Sequence, residues 1–292
     1  MNKIAVGIDL GGTKTEIIAL SGANVLHRFR ENTEKSYAGS IQQIKDMIAK
    51  MKNEIKSSIK RVGIGTPGTI SKKTGLIKNA NSTWLIGKPM QKDLEKLLRI
   101  EVVMEDDANC LALSEAVDGA GKDFDSVFAI ILGTGVGGGI AINGKIVSGA
   151  NSVAGEWGHN SLPWPKADEL PGRQCYCGKF GCIETFLSGP AIEFFHPEFM
   201  ATEVAEQAKN LDPNANQTMD KYHDRLARSL ASVVNILDPD VIVVAGGLCN
   251  IESIYREVPK LLPKYVFSDS VETPIVKAKH GDASGVRGAA WL

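Results

Sequence analysis

A strand, a glycine-threonine turn and a second strand occur twice in this chain, as GIDLGGTKTEIIAL near the start and as AIILGTGVGGGIAI past residue 125. The apolar runs on either side of each turn are short and rich in β-branched residues, as buried strands are. A unit that recurs once, more than a hundred residues later, excludes a solenoid of stacked short repeats. It predicts instead an α/β protein of two related lobes, and 292 residues suit two domains of ordinary size. The first lobe is expected over residues 1–117 and the second over 118–283, with SGVRGAAWL as a terminal helix over 284–292. Residues 117–125 are neither Pro- nor Ser-rich, so the joint reads as a hinge rather than a disordered linker.

The rest of the chain alternates in the same sense. Strands are predicted at residues 4–9, 16–20 and 25–30, and Ile41, Ile44, Ile48, Met51 and Ile55 recur at helical spacing. RVGIGTPG reads as a strand entering a Pro-Gly turn, EVVMEDD as a strand ending in acids, and ANCLALSEAV as a helix. Later, Tyr222, Leu226, Leu230, Val233 and Leu237 share a helix face, and DVIVVAGG is a buried strand ending in glycines.

Several functions are excluded by composition. The 33 Lys and Arg nearly cancel 34 Asp and Glu, so no overall field draws the chain to nucleic acid or an anionic membrane. The uncharged stretch 127–142 has five glycines and only sixteen residues, against the roughly 20 apolar residues a membrane span needs. MNKIAVGIDLGG places Asp9 inside its only apolar run and has no export signal's apolar region or cleavage site. A cytoplasmic protein with reduced thiols is expected.

Glycine turns of this kind let backbone N–H groups approach an anion with no Cβ in the way. Gly11, Gly12, Thr13 and Lys14 form the first turn, Gly133, Thr134 and Gly135 the second, and Gly246 and Gly247 a third after a buried strand. A tight hairpin is the bland alternative for any one of them, but three together point to a nucleotide. The G-x-G-x-x-G match at Gly133, Gly135 and Gly138 is followed by strand-like GIAINGKIV, where a dinucleotide fingerprint requires a helix. Asp9, at the end of the first strand, is placed to hold Mg²⁺ through water.

CYCGKFGC packs three of the five cysteines into eight residues. In a reduced compartment a disulfide is disfavoured, whereas Cys175, Cys177 and Cys182 as thiolates can wrap one Zn²⁺, with Gly178 and Gly181 allowing the bends. His159, in GEWGHN, completes a closed structural Cys₃His set; His280 is the more distant rival. Cys110 and Cys249 read as small core residues.

Taken in order, IDLGGTKT, GIGTPG, DDAN, LGTGVGGG, GEWGH and CYCGKFGCIE resemble the ROK family of bacterial sugar kinases, and the likeness extends to the C-terminal HGDASGVRGAAWL. KNANSTW, SEAVDGAG, GEWGHNSLPW and NILDPDVIVVAGG look most like fructokinase (mannokinase) members, with N-acetylglucosamine kinases as the nearest competitors. The resemblance implies a two-lobed actin-like ATPase (ribonuclease H-like) fold, ATP in the cleft between the lobes, and a terminal helix packed back on the first. It implies Asp107 as general base, Gly68, Asn81, Glu156, His159 and Glu184 about the sugar, and zinc bracing the loop of residues 155–184.

On its own residues, Asp107 would read as a helix cap before ANCLAL. Where relatives commonly have Asn-Asp-Ala-Asn, this chain has Asp106 first, and two adjacent carboxylates facing one sugar would titrate as a unit. The expected activity is ATP- and Mg²⁺-dependent phosphorylation of a hexose 6-hydroxyl, with fructose first and N-acetylglucosamine, glucose or mannose as alternatives. A sugar-responsive repressor would carry a helix-turn-helix ahead of the first turn, which here begins at Asp9. A non-catalytic sugar-binding protein would have no use for Asp107 and three nucleotide turns. A homodimer is the commonest closed assembly for such a chain.

Overall fold

The computed structural model describes residues 4–292, so Met1, Asn2 and Lys3 of the N-terminal stretch lie outside the described residues. Two five-stranded sheets follow one another along the chain. The first contains β1 (Ile4–Leu10), β2 (Lys14–Ser21), β3 (Asn24–Asn32), β4 (Arg61–Thr66) and, beyond a small hairpin of β5 (Thr69–Ile70) and β6 (Ile77–Lys78), β7 (Glu101–Asp106). Their spatial order is β3-β2-β1-β4-β7. The second contains β8 (Ser126–Leu132), β9 (Val136–Ile142), β10 (Lys145–Ile146), β11 (Val241–Ala245) and β12 (Ile275–Lys277), in the order β10-β9-β8-β11-β12. In each sheet the first three strands in sequence form an antiparallel meander, and the last two join it in parallel. The recurring sequence unit is therefore the same hairpin in each sheet.

Both faces of each sheet are covered. On the first sheet, α1 (Tyr37–Ile55) and α2 (Met90–Leu98) cover one face, with Ile44, Ile48, Met51 and Leu94 packed against Ile8, Ile17 and Ile64. The α1 pattern was expected to begin near Ile41; it starts a turn earlier, because Ser36 Oγ accepts the Gly39 N–H at 3.1 Å and caps the helix. In the second sheet, α7 (Pro213–Leu237) follows the short helices α4 (Glu184–Leu187), α5 (Gly189–Glu193) and α6 (Ala201–Lys209). Its Tyr222, Leu226 and Leu230 pack on Phe128, Ile130 and Val244 together with α8 (Ser253–Leu261).

The remaining faces are joined by two helices. α3 (Asp107–Val117) sets Leu111, Ala112 and Ala116 against Val127, Ala129 and Val243 of the second sheet. α9 (Ser284–Trp291) sets Val286 against Ile18 and Leu20 of the first. They cross closely: a Cβ on Gly288 would stand 1.7 Å from the Cys110 carbonyl oxygen. α3 thus leaves the first sheet yet belongs to the core of the second, and α9 returns the chain to the first.

Candidate active site between the sheets

In the first sheet, parallel registry aligns Asp9 with Gly65, Gly65 with Glu105 and Thr66 with Asp106. Acids that are nearly a hundred residues apart therefore meet at the carboxyl ends of the strands, where open α/β sheets carry their ligands. A cavity of about 370 Å³ opens there, lined by Asp9, Asp107, Gly246, Gly247, Asn250 and Ser284 among others.

The two adjacent aspartates do different work. Asp106 is the helix cap: its backbone is extended and its Oδ1 accepts the Ala108 N–H at 3.0 Å. The capping role considered for Asp107 therefore falls one residue earlier, and Asp107 enters the first helical turn with its side chain on the cavity. The surrounding protein strips water from Asp107 and, with the charges of Asp9 and Glu156 adding to this against two backbone N–H groups, holds its carboxyl up at about 7. Asp9 is raised to about 6, first by desolvation and then by Glu16, with Arg30 opposing. Asp106 is also pushed well above the ordinary carboxylate range, by burial and then by Asp107 and Glu156, against the Ala108 N–H.

The glycine turns lie around these acids. Of the residues assigned to them, Gly246 and Gly247 line the cavity; Gly11, Gly12, Thr13, Lys14, Gly133, Thr134 and Gly135 do not. In the first turn the Gly11 N–H donates to the Lys14 carbonyl, and a Cβ on Gly12 would lie 3.6 Å from Ser82 Oγ, beside Asn81. The second and third turns touch: a Cβ on Gly133 would lie 3.8 Å from the Gly247 nitrogen. Gly246 has φ +84°, and a Cβ there would stand 2.4 Å from the Leu132 oxygen, so no side chain fits. Because β9 follows the second turn at Val136, a dinucleotide fingerprint is excluded.

Among the residues expected about a sugar, Glu156 acts electrostatically on both Asp106 and Asp107. Gly68, at φ +145°, approaches Ala80 so closely that a Cβ would stand 2.8 Å from it, placing Gly68 beside Asn81. Glu184 Oε2 accepts the Val136 N–H at 3.0 Å, and its Oε1 is 3.8 Å from Cys175 Sγ. Glu184 thereby connects the cysteine loop to the second glycine turn.

His159, Cys175, Cys177 and Cys182 place one donor atom each within 4.8 Å of one another. Cys177 Sγ and Cys182 Sγ are 3.6 Å apart, as are His159 Nδ1 and Cys175 Sγ. A tetrahedral zinc with sulfur ligands at about 2.3 Å has edges of roughly 3.8 Å, so these residues fit the ion. The other ring nitrogen of His159 is 2.9 Å from Tyr176 Oη, a partner that fixes the ring. His280, the rival ligand, is instead 3.0 Å from Asp118 Oδ1. The loop is tied down by Glu169, which pairs with Arg225 and Arg228 of α7 at 2.8 Å each, while Arg228 also donates to the carbonyls of Pro163 and Trp164.

Cys249, Asn250, Lys277, Gly281, Ser284 and Gly285 also line the cavity, and sequence reasoning did not find them. They come from the segment after β11, from the end of β12 and the turn that follows it, and from the α9 N-terminus, with no motif spacing to relate them to Asp9 or Asp107.

The model of the ROK family matches residues 5–292. An N-acetyl-D-glucosamine kinase of Yersinia pseudotuberculosis is 38% identical over 299 residues, covering 98% of this chain and 97% of that protein. Among solved structures, a ROK hexokinase from Thermus thermophilus superposes with a TM-score of 0.87 at 28% identity, covering 99% of this chain and 97% of the other. A ROK family glucokinase from Streptomyces griseus, in complex with glucose and AMPPNP, superposes with a TM-score of 0.80 at 27% identity over 99% of both chains. None of these three relatives carries the name fructokinase.

Proposed function

The chain belongs to the ROK family of sugar kinases and has their actin-like ATPase fold, and from that premise we propose that it transfers the terminal phosphoryl group of ATP to the 6-hydroxyl of N-acetyl-D-glucosamine. It is an ATP-dependent kinase of the hexose class. The choice of sugar moves from fructose, suggested by short sequence phrases, to N-acetylglucosamine, because a relative of that name is 38% identical across nearly its whole length.

The observation that carries the chemistry is the position of Asp107, a carboxyl at about 7 on the wall of the cavity between the sheets. A sugar hydroxyl is a weak nucleophile at neutral pH, and a base whose affinity for protons matches the ambient pH removes its proton most effectively as the bond to phosphorus forms. Gly246 and Gly247 offer backbone close to the nucleotide. Asp9 is suited to Mg²⁺, which when bound supplies positive charge to the phosphates. Gly68, Asn81, Asp106, Glu156, His159 and Glu184 are assigned to the sugar, with Asp106 at most a partial contributor because one of its oxygens caps α3. Zinc on His159, Cys175, Cys177 and Cys182 would brace the loop that bears Glu156 and Glu184 and would take no part in the reaction.

An ADP-release assay across N-acetylglucosamine, fructose, glucose and mannose tests the proposal. The highest kcat/KM is expected for N-acetylglucosamine. A higher value for fructose would restore the first expectation, and no ADP release with any sugar would remove the sugar assignment altogether.

A further inference from the structure

The wall of the cavity includes Gly281 and, at the start of α9, Ser284 and Gly285. Next to Ser284 lies a carboxylate of the SEAVDGAG stretch to which no role was assigned. Glu115, on α3, is fully buried. Its Oε2 accepts the N–H groups of Ala120 at 2.8 Å and Lys279 at 3.0 Å; its Oε1 accepts the Ser284 hydroxyl at 2.9 Å and lies 3.5 Å from the His280 nitrogen. A Cβ on Gly119 would stand 2.3 Å from Oε2, so the glycine makes room for the carboxylate. Next to it, Asp118 is 3.0 Å from His280 Nε2 and pairs with Arg287 of α9, and Arg287 also donates to the Ala23 carbonyl in the β2–β3 turn at 2.8 Å.

Burying a carboxylate is costly unless donors surround it, and here three of the four donors come from one segment, residues 279–284, the fourth being the Ala120 N–H. We propose that Glu115 is the positioning residue for the nucleotide: by gathering the N–H groups and hydroxyl of that segment it sets Gly281, Ser284 and Gly285 at the distance from Gly246 and Asp9 that the bound nucleotide requires. The role rests on the assignment of this cavity to ATP. Glu115 touches no substrate; it acts through the backbone it holds.

The test is Glu115→Gln, which keeps the volume but turns an NH₂ group towards one pair of donors. ADP binding with Mg²⁺, measured by calorimetry, is expected to weaken roughly tenfold, with KM for ATP rising in step and KM for the sugar staying within about twofold. Amide hydrogen exchange at Lys279 and His280 is expected to accelerate. Unchanged ADP affinity in the variant, or parallel losses for ATP and sugar, would overturn the role of Glu115 while leaving the kinase assignment intact. Failure of the wild-type protein to bind ADP would overturn both. Should Glu115→Gln not accumulate as folded protein, Ser284→Ala withdraws a single donor; a rise in the ADP dissociation constant of about threefold supports the proposal and an unchanged constant refutes it.

Discussion

Asp106 and Asp107 share a side chain and an address, and what separates them is one peptide of helix geometry. The extended backbone at Asp106 aims its carboxylate back at the Ala108 N–H, and the helical backbone at Asp107 leaves its carboxylate facing the cleft. Asp107→Asn is therefore expected to lower kcat by 10²- to 10⁴-fold without loss of fold, and in the wild type the acid limb of kcat/KM against pH should fall near pH 7. The same shift has a second, opposite-signed reading in stability. A carboxyl raised from 3.8 to about 7 on folding binds its proton more tightly in the native state, so unliganded protein loses stability as pH rises from about 4 to about 7. Asp107→Asn removes that loss. Its melting temperature should exceed that of the wild type at pH 8 and converge on it towards pH 4; a gap independent of pH would mean that Asp107 is not the strained group.

Close helix packing explains glycines that look unremarkable along the chain. A Cβ on Gly63 of β4 would stand 1.8 Å from the Ala289 oxygen, and one on Gly7 of β1 2.2 Å from the Ala290 nitrogen, so α9 lies directly on the backbone of both strands. Gly63→Ala should cost about 2–3 kcal/mol through overpacking, a fall in melting temperature of roughly 3–5 °C at this chain length. A melting point unchanged by the substitution would place α9 elsewhere. The loop of residues 155–184 is anchored in the second core by Trp157, Leu162 and Ile183, and between them it is tied by the Glu169–Arg228 pairing and gathers four metal donors. One zinc per chain is expected by elemental analysis, and chelation should expose this loop to proteolysis and raise KM for the sugar more than KM for ATP. A metal-free protein with normal sugar kinetics would leave the Cys₃His cluster without a role in the site.

At the scale of the molecule, what could be read from the sequence was whatever is written locally. The duplicated hairpin, the apolar periodicities of α1 and α7, and the spacing of Cys175, Cys177 and Cys182 near His159 all depend on neighbours in the chain. Glu115 and Ser284 are 169 positions apart, and Gly63 matters only because the last helix returns to it, so neither leaves a local pattern. Contacts across the cleft belong to the same class. Lys78 Nζ donates to the Asn151 carbonyl at 2.8 Å, Lys72 donates to that of Gly149, and Glu105 Oε2 accepts the Ser148 hydroxyl at 2.7 Å. These join the β5–β6 hairpin and the end of β7 to the loop leading to Glu156, on the side assigned to the sugar. They favour the present spacing of the two sides by the sum of a few exposed hydrogen bonds, roughly 1 kcal/mol for the two lysines. The double variant Lys72→Ala, Lys78→Ala should therefore raise KM for the sugar about fivefold and KM for ATP by less, since Gly246 and Ser284 lie outside the clasp. Equal increases for both substrates would show that the lysines hold the two halves together generally and do not close over the sugar.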